Sequence, residues 1–516
     1  MKFLSAPAIS ANPNPRVPLA AVLEFATDAP TRAIVEVSGP GRSWQARVDE
    51  GMRTGHRVPL VGMRPGETCA VRVAAEDRDG NRAEAPEPLS VTAPPLPDDF
   101  PPFEVTACVP EKREPGAMMF NIRHSPAAEH LPDYGVIVAV DREGEVVWYY
   151  RIDEAVGDVR RLANGNVLYV ADGRICEIDP LGDTVAEWYA EGRWRDKTPP
   201  AGAVPVATGM FHHAAIELPS GNIAVCSMEI RDIEGFPLSE EDPHGETETA
   251  RVVGDVIVEF ARDGSVVNEY RLFDLLDPRR VCYGSRAAYW VHRGYPDTCD
   301  WSHTNGLAWD GSGFIASLRH QDCLIRIDRE SGALDWILGT PANWRPPWSD
   351  RLLRPADGLE WQYHQHDCSV TPAGTLMCFD NGNHRTTPPD AKPDDADCYS
   401  RAVEFAIDRE TRTVRQVWSR GPRHDRIYST FQSGSYRLPA TGNTFINYGG
   451  LCTVDGVPSG KVFAGHCKAR LIEVTPGSPG ETVFELIVDD RSSEDPVPWS
   501  SFRTEHFPDF GASPAT

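Results

Sequence analysis

The sequence predicts an all-β protein, a six-bladed β-propeller preceded by a small N-terminal β-sandwich of the fibronectin III or immunoglobulin-like kind. Three observations carry this. Val, Thr, Gly and Pro punctuate short segments throughout the 516 residues, with 43 Gly and 45 Pro, while helix-favouring runs are scarce. A strand–turn–strand pattern that ends on an aromatic recurs along the later chain. A second hairpin, turned on glycine, precedes most copies.

Residues 1–96 read as the sandwich. Thr31–Ser38 and Thr68–Ala75 alternate apolar with polar side chains, Gly39-Pro40-Gly41 makes a turn, and Arg82–Val91 completes the set. Residues 97–103 are Pro-rich and read as a stiff linker. Residues 104–516 carry the repeats and the expected catalytic unit. The outer hairpins are Val138–Trp148, Glu177–Trp188, Glu259–Tyr270, Arg326–Trp336 and Ala406–Trp418, with a weaker copy at Glu473–Phe484. The inner ones turn at Leu162–Asn166, Leu218–Asn222, Trp309–Gly313, Thr371–Thr375 and Leu438–Asn443. Their spacing is irregular, so loops of very different length separate the blades, and such loops are where scaffolds of this kind carry function.

Composition removes several function classes. Against 51 basic residues stand 76 acidic ones, a formal net charge of -25, the wrong field for a nucleic-acid binder. No run is long enough to span a bilayer, and prolines interrupt the N-terminus, which reads as mature sequence without a secretory signal. The twelve cysteines are scattered without a C-x-x-C pair, so they are expected to be reduced core residues and the protein cytoplasmic. A small aromatic molecule is the expected partner, with no membrane, no cofactor and no metal; self-association into a homo-oligomer is compatible with all of this.

The inner hairpin supplies a ruler. Eight residues before the turn glycines Gly221, Gly311 and Gly374 stand His213, His303 and His366. In a propeller the first strand of each blade lines the axis, so equivalent positions at its start form a ring. The same count reaches Gly157 from Gly165 and, with one insertion, Ser433 from Gly442. The returning strand of the His366 hairpin reaches the same level near Asp380, which places Arg385 beside it. Imidazoles and an Arg fork facing one cavity suit a tetrahedral oxyanion, so His213, His303, His366 and Arg385 are the catalytic candidates. Phe211, Trp301, Trp361, Tyr363, Phe431 and Tyr448 flank these strands as candidates for holding an aromatic ring. Arg319, His320, His364 and His384 are read as structural or peripheral.

At these residues the chain resembles the bacterial arylsulfate sulfotransferases. The matching segments are Phe211–Asn222, Asp300–Leu307, His364–Val370, Phe379–Arg385 and Ser433–Pro439. The resemblance implies a six-bladed propeller with an N-terminal β domain. It also implies transfer of a sulfuryl group between phenols through a transiently sulfated histidine, without the nucleotide sulfate donor. Well-known members are exported and carry a disulfide, whereas this chain shows no signal or obvious cysteine pair. The late stretch Thr430–Gly450 holds Tyr436 and Tyr448 but no histidine; His424 and His466 lie nearby, off the ruler.

Sulfuryl transfer, with His366 as nucleophile, is therefore the leading expectation. The alternative is a lyase that cleaves a C–C or C–O bond of a lignin-derived aromatic, for instance with formaldehyde release, by His acid/base catalysis. A metal site of ring imidazoles plus a carboxylate such as Glu229, or a plain interaction platform, ranks below both.

Overall fold

The computed structural model describes residues 2–48, 51–124, 134–422, 426–478, 480–491 and 496–508; His424 falls outside them. The protein is nearly all β. Among the described residues the one α-helical turn is Leu272–Leu275, and no helix is long and apolar enough to cross a membrane.

The N-terminal unit has seven strands organised on Ala21–Gly39. The first half of that strand pairs with Phe3–Ala11 and Arg53–Leu60, the second half with Thr68–Glu76 and Arg42–Gln45. Alternation along it buries Leu23, Phe25, Ala33, Val35 and Val37, the pattern of a sheet with one face on a core. That core continues without a break into Phe120, Val138, Phe445 and Phe484 of the following sheets.

Six further sheets follow among the described residues. Each expected outer hairpin is present as a pair of antiparallel strands. The inner turns are present too, their glycines at φ of 84° (Gly165), 84° (Gly221), 98° (Gly311), 78° (Gly374) and 71° (Gly442), the left-handed region that glycine alone enters freely. The apolar clusters lie between consecutive sheets: Trp188 with Phe260, Leu318 with Trp301, and Leu338 with Phe405. This is sheet-on-sheet packing arranged about an axis in the manner of a propeller.

The inner strand His212–Glu217 lies beside Thr304–Trp309, that strand beside His366–Val370, and that one beside Gly434–Arg437. Closure comes from both ends of the body. Phe103–Cys108 adds the outer edge of the last sheet, while Trp499–Ser500 and Thr504–Phe507 pair with Ala117–His124 of the first. The C-terminal segment therefore supplies residues to the axis, completing the first sheet from its inner side.

The cysteine expectation needs correction. Cys452 and Cys467 form a disulfide, and the other ten cysteines are free. The two face each other across the strands Thr444–Val454 and His466–Val474. Cross-strand register, which no sequence spacing displays, makes the pair.

Candidate active site: imidazoles and arginines on the axis

In each of the third, fourth and fifth sheets the inner strand begins with a bulge at its histidine: between His212 and Ala215, Thr304 and Gly306, and His366 and Ser369. His213 and His303 adopt φ of 53° and 50°, and in the fifth sheet Asp367, next to His366, takes φ of 60°. Left-handed backbone at a non-glycine residue is costly, and here it re-aims the side chain from the sheet face toward the axis. Space on the axis is tight, since a Cβ on Gly306 would lie 2.7 Å from the Asp367 Cα.

The fold brings the three ruler histidines together. The His213 and His303 rings are 4.8 Å apart, and His366 acts electrostatically on His213, as His303 does on His366. A chain of rings continues outward through His320, 4.5 Å from His303, then His364 and His384. Burial holds His213, His303 and His366 well below the usual imidazole range, and the Arg319 charge lowers His303 and His366 further. All three are neutral at pH 7.

Hydrogen bonds fix where the lone pairs point. His303 Nδ1 donates to Asp300 Oδ2 at 2.5 Å, leaving its Nε2 lone pair without a protein partner among the described residues. His366 Nδ1 donates to Asn381 Oδ1 at 2.8 Å, the amide being oriented by its own donation to Ser429 O; its Nε2 accepts a long 3.2 Å bond from the Gln432 backbone N–H. His213 Nδ1 meets His212 Nδ1 at 2.8 Å, and His212 Nε2 donates to Ser227 O. With His213 as donor in that contact, its Nε2 faces the ring.

The cation beside these imidazoles is Arg319, not Arg385. Arg319 Nη1 donates to His320 Nε2 at 2.7 Å and Nη2 reaches Thr430 O, while its buried Nε has no partner among the described residues. Arg385 instead bonds Asp380 at 3.2 Å and Glu360 at 2.5 Å, donates to Tyr399 O and lies 3.8 Å over the Tyr399 ring. The hairpin register does set Asp380 at the level of His366, but that carboxylate holds Arg385 and neutralises it.

Among the aromatic candidates, Phe211 stacks on Phe260, Trp301 on Phe273, and Tyr448 packs against Phe379, all three in the core between sheets. Trp361 packs on the cluster between the fourth and fifth sheets, Tyr363 lies beside Arg385, and Phe431 meets Phe463 edge-on by the disulfide. The aromatics that touch the ring are Tyr289, 4.5 Å from His303 and 5.7 Å from His213, and Phe502, 5.8 Å from His213. Tyr289 comes from a long loop after the third sheet and Phe502 from the closing C-terminal segment. Neither stands near a hairpin turn, so the ruler had no purchase on them. His212 was legible only as the neighbour of His213.

Asp300, His303 and His320 bring donor atoms within 4.8 Å of one another. His320 is already matched, its Nδ1 donating to Asp300 O and its Nε2 receiving Arg319. An adjacent guanidinium suits an anion rather than a divalent cation. Glu229 is paired with Arg231 and Arg271.

Below the ring a buried ionic network fills the axis. Arg503 bonds Asp158 at 2.8 Å and pairs with Asp367, and Arg160 bonds Asp158 at 3.0 Å. Beyond it, at the hairpin end of the strands, opens a cavity of about 500 Å³ lined by Arg160, Asp367, Thr371, Tyr436 and Glu505.

Comparison with known proteins agrees with this architecture. The family model described as arylsulfotransferase (ASST) matches residues 112–496, and the arylsulfotransferase Ig-like domain matches residues 8–93. The arylsulfate sulfotransferase AssT of Escherichia coli is 25% identical over 369 residues, 60% of this chain and 57% of that protein. The namesake protein of Lelliottia amnigena is 25% identical over 57% of this chain and 54% of its own length. The chain thus spans a little over half the length of these relatives. A solved protein of unknown function from Bacteroides caccae is 13% identical, with a TM-score of 0.39 over 76% of this chain and all of that one. With one model covering most of the later chain and a second the N-terminal unit, the chain belongs to the arylsulfotransferase family.

Proposed function

We propose that this protein transfers a sulfuryl group between aryl substrates through His366. The observation that carries the reading is a buried ring of neutral imidazoles beside Arg319, a guanidinium whose buried Nε has no partner among the described residues. An aryl sulfate places its anionic oxygens against Arg319. His366 Nε2 attacks sulfur, the S–O bond to the aryl oxygen breaks, and the phenolate departs. Asn381 keeps the proton on Nδ1, so the lone pair is on the attacking nitrogen. The Gln432 N–H, released by Nε2, is then placed to donate to a sulfuryl oxygen. An acceptor phenol gives its proton to His303 Nε2, which Asp300 supports, and attacks the sulfated imidazole. The proton returns to the first phenolate, so one phenol and one aryl sulfate leave for those that entered.

The test is incubation with 4-nitrophenyl sulfate and phenol. Acceptor-dependent release of 4-nitrophenol, lost in His366→Ala, is expected. Neither transfer nor hydrolysis across a panel of donors would overturn the reading.

A second reading has its own observation. The Asp300–His303 pair is a complete base dyad, and His213 lies 4.8 Å away to carry a proton. Acid/base cleavage of a C–C or C–O bond in a lignin-derived phenolic, with formaldehyde as one product, needs these groups and no sulfur. Formaldehyde release from hydroxylated aromatic dimers without any sulfate donor distinguishes it.

A further inference from the structure

Several buried arginines pair with carboxylates: Arg113 bonds Glu473, Arg401 bonds Asp380, Arg326 bonds Asp310, and Arg503 bonds Asp158. Others are held by neutral groups, Arg280 by Gln321 and two carbonyls, and Arg319 by His320 and Thr430 O. Arg123 is of this second kind. It stands near the end of Ala117–His124, in the first sheet. Its fork meets the neutral side chain of Gln432, whose amide is oriented by donation to Ser501 O at 3.1 Å and Ser500 Oγ at 3.3 Å. The Gln432 oxygen then receives Arg123 Nε at 3.1 Å and Nη2 as well. The titratable groups that act on Arg123 among the described residues are the neutral Tyr289 hydroxyl and the like-charged Arg293, and burial, with the repulsion of Arg293, pushes it down to about 10. Arg293 lies with its guanidinium 3.6 Å over the Tyr289 ring and donates Nη1 to Tyr289 O, again with no carboxylate partner among the described residues.

These two cations are not remote from the chemistry. Tyr289 is in ring contact with His303 and His213. Gln432, which receives Arg123 through its side chain, donates its backbone N–H to His366 Nε2. One residue therefore separates Arg123 from the nucleophile, and one ring separates Arg293 from the base. Two guanidiniums without a counter-ion among the described residues, set about Tyr289 beside the imidazoles, suit an anion.

We propose that Arg123 and Arg293, about Tyr289, form a second anion-binding position that selects aryl substrates carrying a fixed anionic substituent, a carboxylate above all. The inference rests on the reading that an aryl group occupies the imidazole ring, but it does not depend on which bond is broken there. Arg319 serves the reacting group and Arg123 the far end of the substrate. A planar carboxylate matches the Arg123 fork in two parallel hydrogen bonds once Gln432 yields it.

The experiment is calorimetric titration of the full chain with 4-hydroxybenzoate and its neutral counterpart 4-hydroxybenzamide. The wild type should bind the carboxylate about tenfold or more tightly than the amide, the worth of a charge-assisted bond. Arg123→Gln should lose that preference while keeping its affinity for 4-hydroxybenzamide, and Arg123→Lys should keep part of the preference. Equal affinities in the wild type, or a preference that survives Arg123→Gln, overturn the proposal. So does a wild type that fails to bind 4-hydroxybenzoate saturably. Displacement of 4-hydroxybenzoate by equimolar inorganic sulfate overturns it too, since the position would then hold a free anion. If 4-hydroxybenzamide binds and no carboxylate preference exists, the aryl reading stands and this inference alone falls. A carboxylate preference in a protein that transfers no sulfuryl group supports the inference and removes the sulfuryl reading.

Discussion

Asp300→Asn should abolish catalysis while leaving the fold intact, and the reason is a proton's address. Asp300 Oδ1 accepts the buried indole N–H of Trp290 at 3.0 Å, and Oδ2 accepts His303 Nδ1–H at 2.5 Å. An asparagine has one acceptor and one donor end. Trp290 offers only a donor, so the amide oxygen turns to the indole and the NH2 group toward His303. The imidazole then accepts on Nδ1 and carries its proton on Nε2, the nitrogen that faces the ring. A base with its lone pair turned away loses about 10³-fold or more in turnover. The volume is unchanged and a buried charge is removed, so the melting temperature should hold. Steady-state kcat/KM with an aryl sulfate and acceptor phenol measures the loss. The pH profile supplies an independent sign. Burial pushes the Asp300 carboxyl up to about 6, so wild-type activity should fall as pH drops through that value, while residual Asp300→Asn activity should lack that acidic limb. Activity within threefold of wild type, or an unaltered acidic limb, would refute the assignment of His303.

Three further outcomes are expected. Arg319→Met should cost about 10²-fold in kcat/KM with little loss of stability. Arg385→Met should do the reverse, since it removes one of the two arginines that hold Asp380 and Glu360, leaving Arg401, and costs about 1 kcal/mol by denaturant titration. Burial, with Asp158 and Asp367 nearby, pushes the Glu505 carboxyl up to about 7, so the native state holds its proton more tightly than the unfolded chain and this contribution to stability is lost as pH rises from about 4.5 to 7; Glu505→Gln should therefore gain about 1–2 kcal/mol over wild type at pH 8 and nothing at pH 4. Thiol labelling in denaturant should count the ten free cysteines before reduction and all twelve after it.

The fold was legible because its signals are local. A hairpin glycine at positive φ and an aromatic closing the outer turn are set within a dozen residues, and the expected turns match the observed ones in order. The ring of His213, His303 and His366 was legible for the same reason, as an offset along a single strand from a turn. The bulges that start those strands shift the offset by a residue, so His213 and His303 share a left-handed backbone that His366 passes to Asp367. What escaped is non-local. Tyr289 and Phe502 reach the ring from a loop and a closing segment, and Arg123 reaches Gln432 from a strand of the first sheet that carries no inner-hairpin histidine. The Cys452–Cys467 bridge depends on the register of two strands. Proximity along the hairpin says nothing about which carboxylate takes the charge of Arg385; Asp380 was visible in the sequence, but its grip on Arg385 is a property of the folded hairpin.

Charge placement orients the axis. The chain as a whole carries a formal net charge of -25, so its exterior repels anions at long range. At the hairpin end of the axis Arg160 and Arg503 are balanced by Asp158, Asp367 and Glu505, and nothing there draws an anion inward. At the imidazole end Arg319, Arg123 and Arg293 gather around neutral rings, while the buried carboxylates Asp300, Asp255 and Asp322 are engaged by His303, His212 and His364. Arginines without a carboxylate partner among the described residues thus stand at one end, and ion-paired arginines at the other. A substrate with anionic groups at both ends is held back by the surface and captured only where two separate cations await it. That requirement filters substrates before any bond is broken, and it makes added salt a partial substitute for specificity: screening should speed encounter with the surface while weakening the second contact.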